Sequence, residues 1–253
     1  MYLTEQEKYI IPTEWSKYRF LYKMLDLANI PQDAYCCEVG CGVGIFLAHL
    51  EKRGLRAVGI DLSQKAVEIA GKRFKDGNIS VRNQGIYDLK EKFDALFMFE
   101  VLEHIKDDRV FLKHISDNLL KESGRLFISV PARQKLFSKA DLYCGHLRRY
   151  EKKDLAQELT DAGLKPLIFW SFGLLPIHLI SHHLLFRRFV NSRLAGDYDA
   201  HARTRESGIM QFPKVWKIIY PVASKFYGLL LLLEKAFLNF DIGYSYLVYC
   251  RKG

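Results

Sequence analysis

Four groups of residues in this 253-residue chain have types and spacings that can do chemistry. The first is Glu38-Val-Gly-Cys-Gly-Val-Gly44, a glycine turn that closes a short apolar run. Gly40, Gly42 and Gly44, with Cys41 between them, let backbone approach a ligand closely, and the helix that follows offers unpaired N–H groups. Many nucleotide sites share such a turn, and its details narrow the choice. A dinucleotide site wants G-x-G-x-x-G, which places glycine where this chain has Ile45, and a G-x-x-x-x-G-K-S/T cradle is absent. Glu38 would set a carboxylate beside any diphosphate, so repulsion disfavours that ligand and a ligand with an ammonium end is favoured. The second group is Asp61 at a strand tip, where acidic residues accept hydrogen bonds from a ribose diol. The third is Glu100, Glu103 and His104, E-x-x-E-H just past a strand end, with His104 the first candidate for a general base; helix capping is the competing role. The fourth is Gly145-His-Leu-Arg-Arg-Tyr150, in which His146 and Tyr150 are candidate catalytic residues and, with Tyr143 and Arg149, could line an acceptor site. Arginines there suit an anionic acceptor, unless the stretch is a structural loop with its arginines in solvent.

These residues need elements to hold them. Helical spacing from 14 to 28 predicts a leading helix closed by Pro31. Strands are expected at 35–39, 56–61, 79–83, 93–99, 125–130 (stopped by Pro131) and 167–170, and helices at 45–52, 64–74 (with Ser63 as cap), 107–121 and 151–162 (ended by Gly163). Such alternation gives a parallel, doubly wound sheet. We read one domain over 1–253: a leading helix at 14–30, a cofactor-binding core at 31–171, an insertion at 172–243 and a final strand at 244–251.

Composition sets the limits of the reading. Residues 1–132 hold 19 Lys and Arg against 19 Asp and Glu, so the whole net charge of +9 lies in residues 133–253. That asymmetry fits an anionic partner, or a surface that is basic only for solubility. Nucleic acid is not favoured, because no recognition motif accompanies the charge. Five cysteines without paired spacing read as reduced thiols, and the first fifteen residues, with Glu5, Glu7, Lys8 and Glu14, do not read as a cleaved signal; a cytoplasmic protein is expected. Within the insertion, His178, His182 and His183 lie in an apolar run, and 213–240 pairs a wide apolar face with lysines. That pattern fits a helix lying in an anionic membrane surface, a lid over the acceptor, or a buried helix in the fold or a dimer interface. A membrane span is not expected, since Lys214, Lys217 and Lys225 interrupt the run and Glu234-Lys235 ends it.

Taken in order, Glu38 to Gly44, Asp61, the strand running from Phe93-Asp94 to Phe99-Glu100-Val-Leu-Glu-His104, and Leu120-Lys-Glu-Ser-Gly124 through Pro131 resemble the motifs of class I S-adenosylmethionine-dependent methyltransferases over about residues 30–170. The resemblance implies a Rossmann-like α/β fold, a doubly wound, mostly parallel seven-stranded sheet with the insertion between its last two strands. It implies S-adenosyl-L-methionine as cofactor, with Glu38 toward its ammonium, Asp61 on its ribose, and Leu62, Ile86, Asp88, Phe99 and Glu100 around the remainder. Family members often have Asp where this chain has Ile86, which leaves Asp88 or backbone groups for the adenine amine. The E-x-x-E-H stretch is similar to the metal-binding stretch of ubiquinone-pathway O-methyltransferases, but three such ligands alone do not fix a site, and no metal is expected. The expected function is methyl transfer to a small hydrophobic or lipid-like acceptor, with O-methylation favoured; the alternative is a non-catalytic, cofactor-binding scaffold of the same fold.

Overall fold

The computed structural model describes residues 12–74, 77–174 and 233–253. In chain order its elements are α1 (Pro12–Ala28), β1 (Tyr35–Val39), α2 (Ile45–Lys52), β2 (Arg56–Asp61), α3 (Gln64–Gly71), β3 (Ile79–Asn83), β4 (Phe93–Phe99), α4 (Asp108–His114), β5 (Leu120–Pro131), α5 (Lys139–Cys144), α6 (Lys152–Asp161), β6 (Leu164–Leu174) and β7 (Gly243–Lys252). The strands form one seven-stranded sheet in the order β3-β2-β1-β4-β5-β7-β6. The pairings from β3 through β5 are parallel, and β7 runs antiparallel between β5 and β6. The expected Rossmann-like sheet is therefore observed.

Alternation along each strand feeds two cores. Val39, Val58, Ile60, Leu96, Met98, Leu126, Ile128, Tyr246 and Val248 face one layer with Leu112 of α4 and Leu155 of α6. Cys36, Ala57, Phe97, Phe127, Leu247 and Tyr249 face the other, with α1 and α2. Strands covered on both faces read as apolar runs, as these do. Phe97, Phe127 and Tyr249 stack across β4, β5 and β7 with centroids 5.0 and 4.8 Å apart. Each such pair adds about 1 kcal/mol beyond its burial.

Three expected boundaries are corrected. The helix expected over 107–121 ends at His114 and continues as a wide π turn, Ile115–Leu119, after which Leu120 pairs with Phe93 as the start of β5. Apolar spacing had carried the helical pattern through residues that instead begin a strand. β5 does end at Pro131, as expected, and Pro131 itself still pairs with Ser245 of β7. The strand expected at 167–170 is β6, which starts before Pro166 because at the sheet edge a missing N–H costs little. The helix expected to reach Phe74 closes at Gly71.

β6 extends to Leu174, three residues into the segment read as an insertion. After it the description resumes at 233, where Glu234 accepts from the amide of Gly173 and Leu238 O accepts from Ser171 N, returning the chain along β6. Arg133 then ties the entry of β7 through the carbonyls of Ile242 and Gly243. His178, His182, His183 and nearly all of the helix expected at 213–240 lie outside the described residues.

Candidate active site

The site gathers at the C-terminal ends of β1, β2, β4 and β5, the usual ligand side of an open parallel sheet. Gly40, Gly42 and Gly44 have φ of +71°, +51° and +77°. A Cβ on Gly40 would stand 2.7 Å from Val101 Cγ2, and one on Gly44 2.8 Å from Phe74, so this turn admits no side chain at either position. Gly44 caps α2 without a side chain, and the amide of Leu47 in the first turn donates to Glu38 instead.

Glu38 is buried, and its Oε2 has no hydrogen-bond partner. Burial raises its carboxyl well above the usual range; Lys17 pulls it down, Asp61 pushes it up, and the Leu47 amide lowers it. The ligand-free carboxyl therefore ionises less readily than a free one, which weakens the repulsion argument against diphosphates and leaves the glycine pattern to carry it. An orphaned buried carboxyl oxygen at this turn fits a ligand ammonium.

Asp61 ends β2 with Oδ2 accepting from Gly42 N and Oδ1 from Ser63 N, both at 2.8 Å. It thus ties the turn to the strand and keeps further lone pairs for a diol. Beside it Leu62 is 60% exposed and offers an apolar surface next to the Asp61 carboxylate. Ile86, in contrast, is buried and packs into the core. Asp88 is exposed and accepts from Gly85 N at 3.1 Å. Cys41 packs its thiol inward, where burial raises its pKa, and Phe99 lies edge-on to Phe46 at 5.0 Å.

Just past the end of β4, Glu100 holds φ of +56° and accepts from Ser129 Oγ at 2.7 Å. A non-glycine residue in that region is held by its surroundings, here by this bond and by its own N–H on Ser129 O at 3.0 Å. Residues 102–104 form a 3-10 turn against 145–150: Leu147 N donates to Glu103 O at 2.9 Å, and Tyr150 OH donates to Leu102 O at 3.1 Å. His104 Nδ1 lies 3.0 Å from Gly145 O. Burial and the neighbouring His146 lower the His104 pKa to about 4, against the opposing pull of Gly145 and Glu100, so it is a neutral imidazole at physiological pH. Glu103 is fully buried with neither oxygen hydrogen-bonded; burial and Glu100 push its carboxyl well up.

The G-H-x-R-R-Y stretch divides between site and wall. His146 meets Asp141 Oδ1 at 3.0 Å and Glu103 Oε1 at 3.7 Å, and its ring stands edge-to-face on His104 at 4.9 Å. Arg149 donates to Asp141 at 2.8 Å and to Tyr244 OH, and Arg148 pairs with Asp108 at 2.8 Å. Tyr150 is buried in the core with its hydroxyl 2.8 Å from Asp108. Neither Arg149 nor Tyr150 reaches out to an acceptor, because buried polar groups are committed to partners within the fold. The expectation that they line the acceptor site is corrected on that ground, as is a direct catalytic part for Tyr150; Tyr143 is buried too. Glu103, His104 and His146 bring one donor atom each within 4.8 Å of one another, whereas Glu100 of the E-x-x-E-H stretch is not in that group.

Two residues escaped the sequence reading. Lys17 is buried and its charge acts on Glu38 and Glu103; its signal was a lysine on the buried stripe of α1 with Phe20, Leu21 and Met24. Asp141 had no signal, since α5 itself was not foreseen.

A family model described as a methyltransferase domain matches residues 13–167. The chain belongs to this methyltransferase family. Its class is that of the class I S-adenosylmethionine-dependent methyltransferases, whose methyl donor is S-adenosyl-L-methionine. Over 96 residues it is 33% identical to a ubiquinone biosynthesis O-methyltransferase of Pelagibacter ubique, a match covering 36% of this chain and 40% of the relative, so it spans well under half the length of that protein. Among solved structures, a magnesium protoporphyrin IX methyltransferase from Synechocystis with bound S-adenosylhomocysteine aligns over 100% of this chain and 89% of its own, with TM-score 0.56 and 16% identity. The cyclase SpnF aligns over 92% of this chain and 80% of its own, with TM-score 0.59 and 17% identity. Both likenesses are to the fold, and a fold shared with a cyclase does not choose the acceptor.

Proposed function

We propose that this methyltransferase moves the methyl of S-adenosyl-L-methionine to a hydroxyl of a small hydrophobic or lipid-like acceptor, met at an anionic membrane surface. The observation that carries the hydroxyl is the neutral His104 imidazole beyond β4, with Nδ1 on a carbonyl and therefore its lone pair on Nε2. When bound, the cofactor supplies an electrophilic methyl on a sulfonium. Glu38 meets its ammonium, Asp61 its diol, Leu62 its base, and Lys17 is positioned toward the same end as Glu38. Holding donor and acceptor in line supplies most of the rate, and a weak base suffices because a hydroxyl becomes acidic as its oxygen gains the methyl. The lipid-like acceptor is supported by the apolar, basic character of 172–243.

The test offers methyl-labelled cofactor and a membrane lipid extract to the full chain. Label is expected in an extractable, base-stable ether, and calorimetry is expected to show cofactor binding. Cofactor binding without label in any lipid or phenolic acceptor would favour a scaffold; no cofactor binding would remove the proposal.

A further inference from the structure

Both imidazoles of the site take their tautomer from one stretch of chain. The Gly145 carbonyl can only accept, so the Nδ1 of His104 at 3.0 Å carries the proton. Asp141 does the same for His146 at 3.0 Å, while Arg149 Nε at 2.8 Å shares the same carboxylate oxygen. Asp141 and Gly145 are the third residue and the C-cap of α5. Although burial pushes its carboxyl up, the bonds from His146 and Arg149 hold Asp141 down at about 2, so it stays ionised. Glu103 is the poorer proton acceptor for His146, since its Oε1 stands 3.7 Å from Nε2 and burial pushes its carboxyl up.

We infer that Asp141 is a positioning residue for proton removal from the acceptor: it holds His146 protonated on Nδ1, so that the Nε2 lone pair of that ring stands beside His104 as a second station for the proton. The inference rests on the hydroxyl reading above. In the step, the acceptor O–H breaks and its electron pair stays on oxygen, an oxygen pair forms the bond to the methyl carbon, and the C–S pair leaves with sulfur as a neutral thioether. The proton passes to imidazole, and the resulting imidazolium of His146 is balanced by the Asp141 carboxylate.

The test compares the ligand-free full chain with Asp141→Asn by NMR of 15N-labelled histidine. In the wild-type chain both His104 and His146 are expected protonated on Nδ1. In Asp141→Asn, His146 is expected to move toward the Nε2-protonated form with His104 unchanged. With catechol as the probe acceptor, kcat is expected to fall about 100-fold with KM for the cofactor unchanged. Since Asp141 also closes a capping box with Ser138, His146→Asn serves as the second variant: it keeps a donor for Asp141, lacks Nε2, and is expected to lose kcat by a similar factor. Nε2-protonated His146 in the wild-type chain, or full kcat in His146→Asn, overturns the inference. So does a Zn2+-dependent shift of both histidines with turnover that requires the metal. Failure of the wild-type chain to methylate catechol counts against the acceptor reading alone, and the tautomer result still decides the role of Asp141.

Discussion

Glu38 shows how one side chain can be costly to the fold and useful to the site. Its folded carboxyl titrates well above the unfolded value near 4.5, so between that value and the raised one the ligand-free fold loses stability as pH increases. An ammonium at Oε2 binds the ionised form, so binding releases a proton and the cofactor Kd falls with rising pH, by at most about tenfold per unit below the ligand-free pKa. Calorimetry in buffers of different ionisation enthalpy measures that proton directly. Glu38→Gln keeps an acceptor for Leu47 and is expected to melt at or above the wild-type temperature while binding the cofactor about 10- to 100-fold more weakly. A variant that melts lower and binds normally would assign Glu38 to structure.

At the scale of elements, the site is two short connections sewn together. The 3-10 turn after β4 and the stretch from α5 to Tyr150 share backbone and side-chain bonds, and the α5 end of that stretch is set by Ser138, whose Oγ accepts from Ala140 N at 3.2 Å while Asp141 returns to Ser138 N at 2.8 Å. Removing such a cap costs about 1 kcal/mol. Ser138→Ala is expected to lower stability by about that much in urea titration and to reduce kcat, because α5 carries both groups that set the histidine tautomers. Unchanged kcat at reduced stability would separate the helix from the chemistry. β1, β2, β3 and β4 were readable end to end, since their apolar runs stop at polar or glycine residues. α5 was not, because six residues with buried Asp141 and Tyr143 but exposed Leu142 have no amphipathic period.

For the whole molecule, charge is the property that composition alone exposes. With the net +9 confined to 133–253, anionic vesicles are expected to sediment the chain at low salt and to release it at about 0.5 M salt, where exposed charges are screened. Failure to sediment at low salt removes the membrane surface from the proposed function and leaves methyl transfer untouched. Among the described residues no helix is long and apolar enough to cross a membrane. The sheet order adds a constraint of its own: where β7 begins beside β6, Gly243 lies so close to the Phe172 backbone that a Cβ there would clash with Phe172 O.

Local pattern by itself determined the alternating elements, the glycine turn and the acidic residues at two strand tips, because period and turn chemistry are properties of neighbouring residues. Tertiary structure alone decided which polar groups were already spent. Arg149 and Tyr150 look like ligand contacts in the chain, yet they are bonded to Asp141 and Asp108, whereas Glu38 Oε2 is left without a partner. Satisfaction of a buried group depends on residues far away in sequence, so only the folded chain distinguishes a wall from a site.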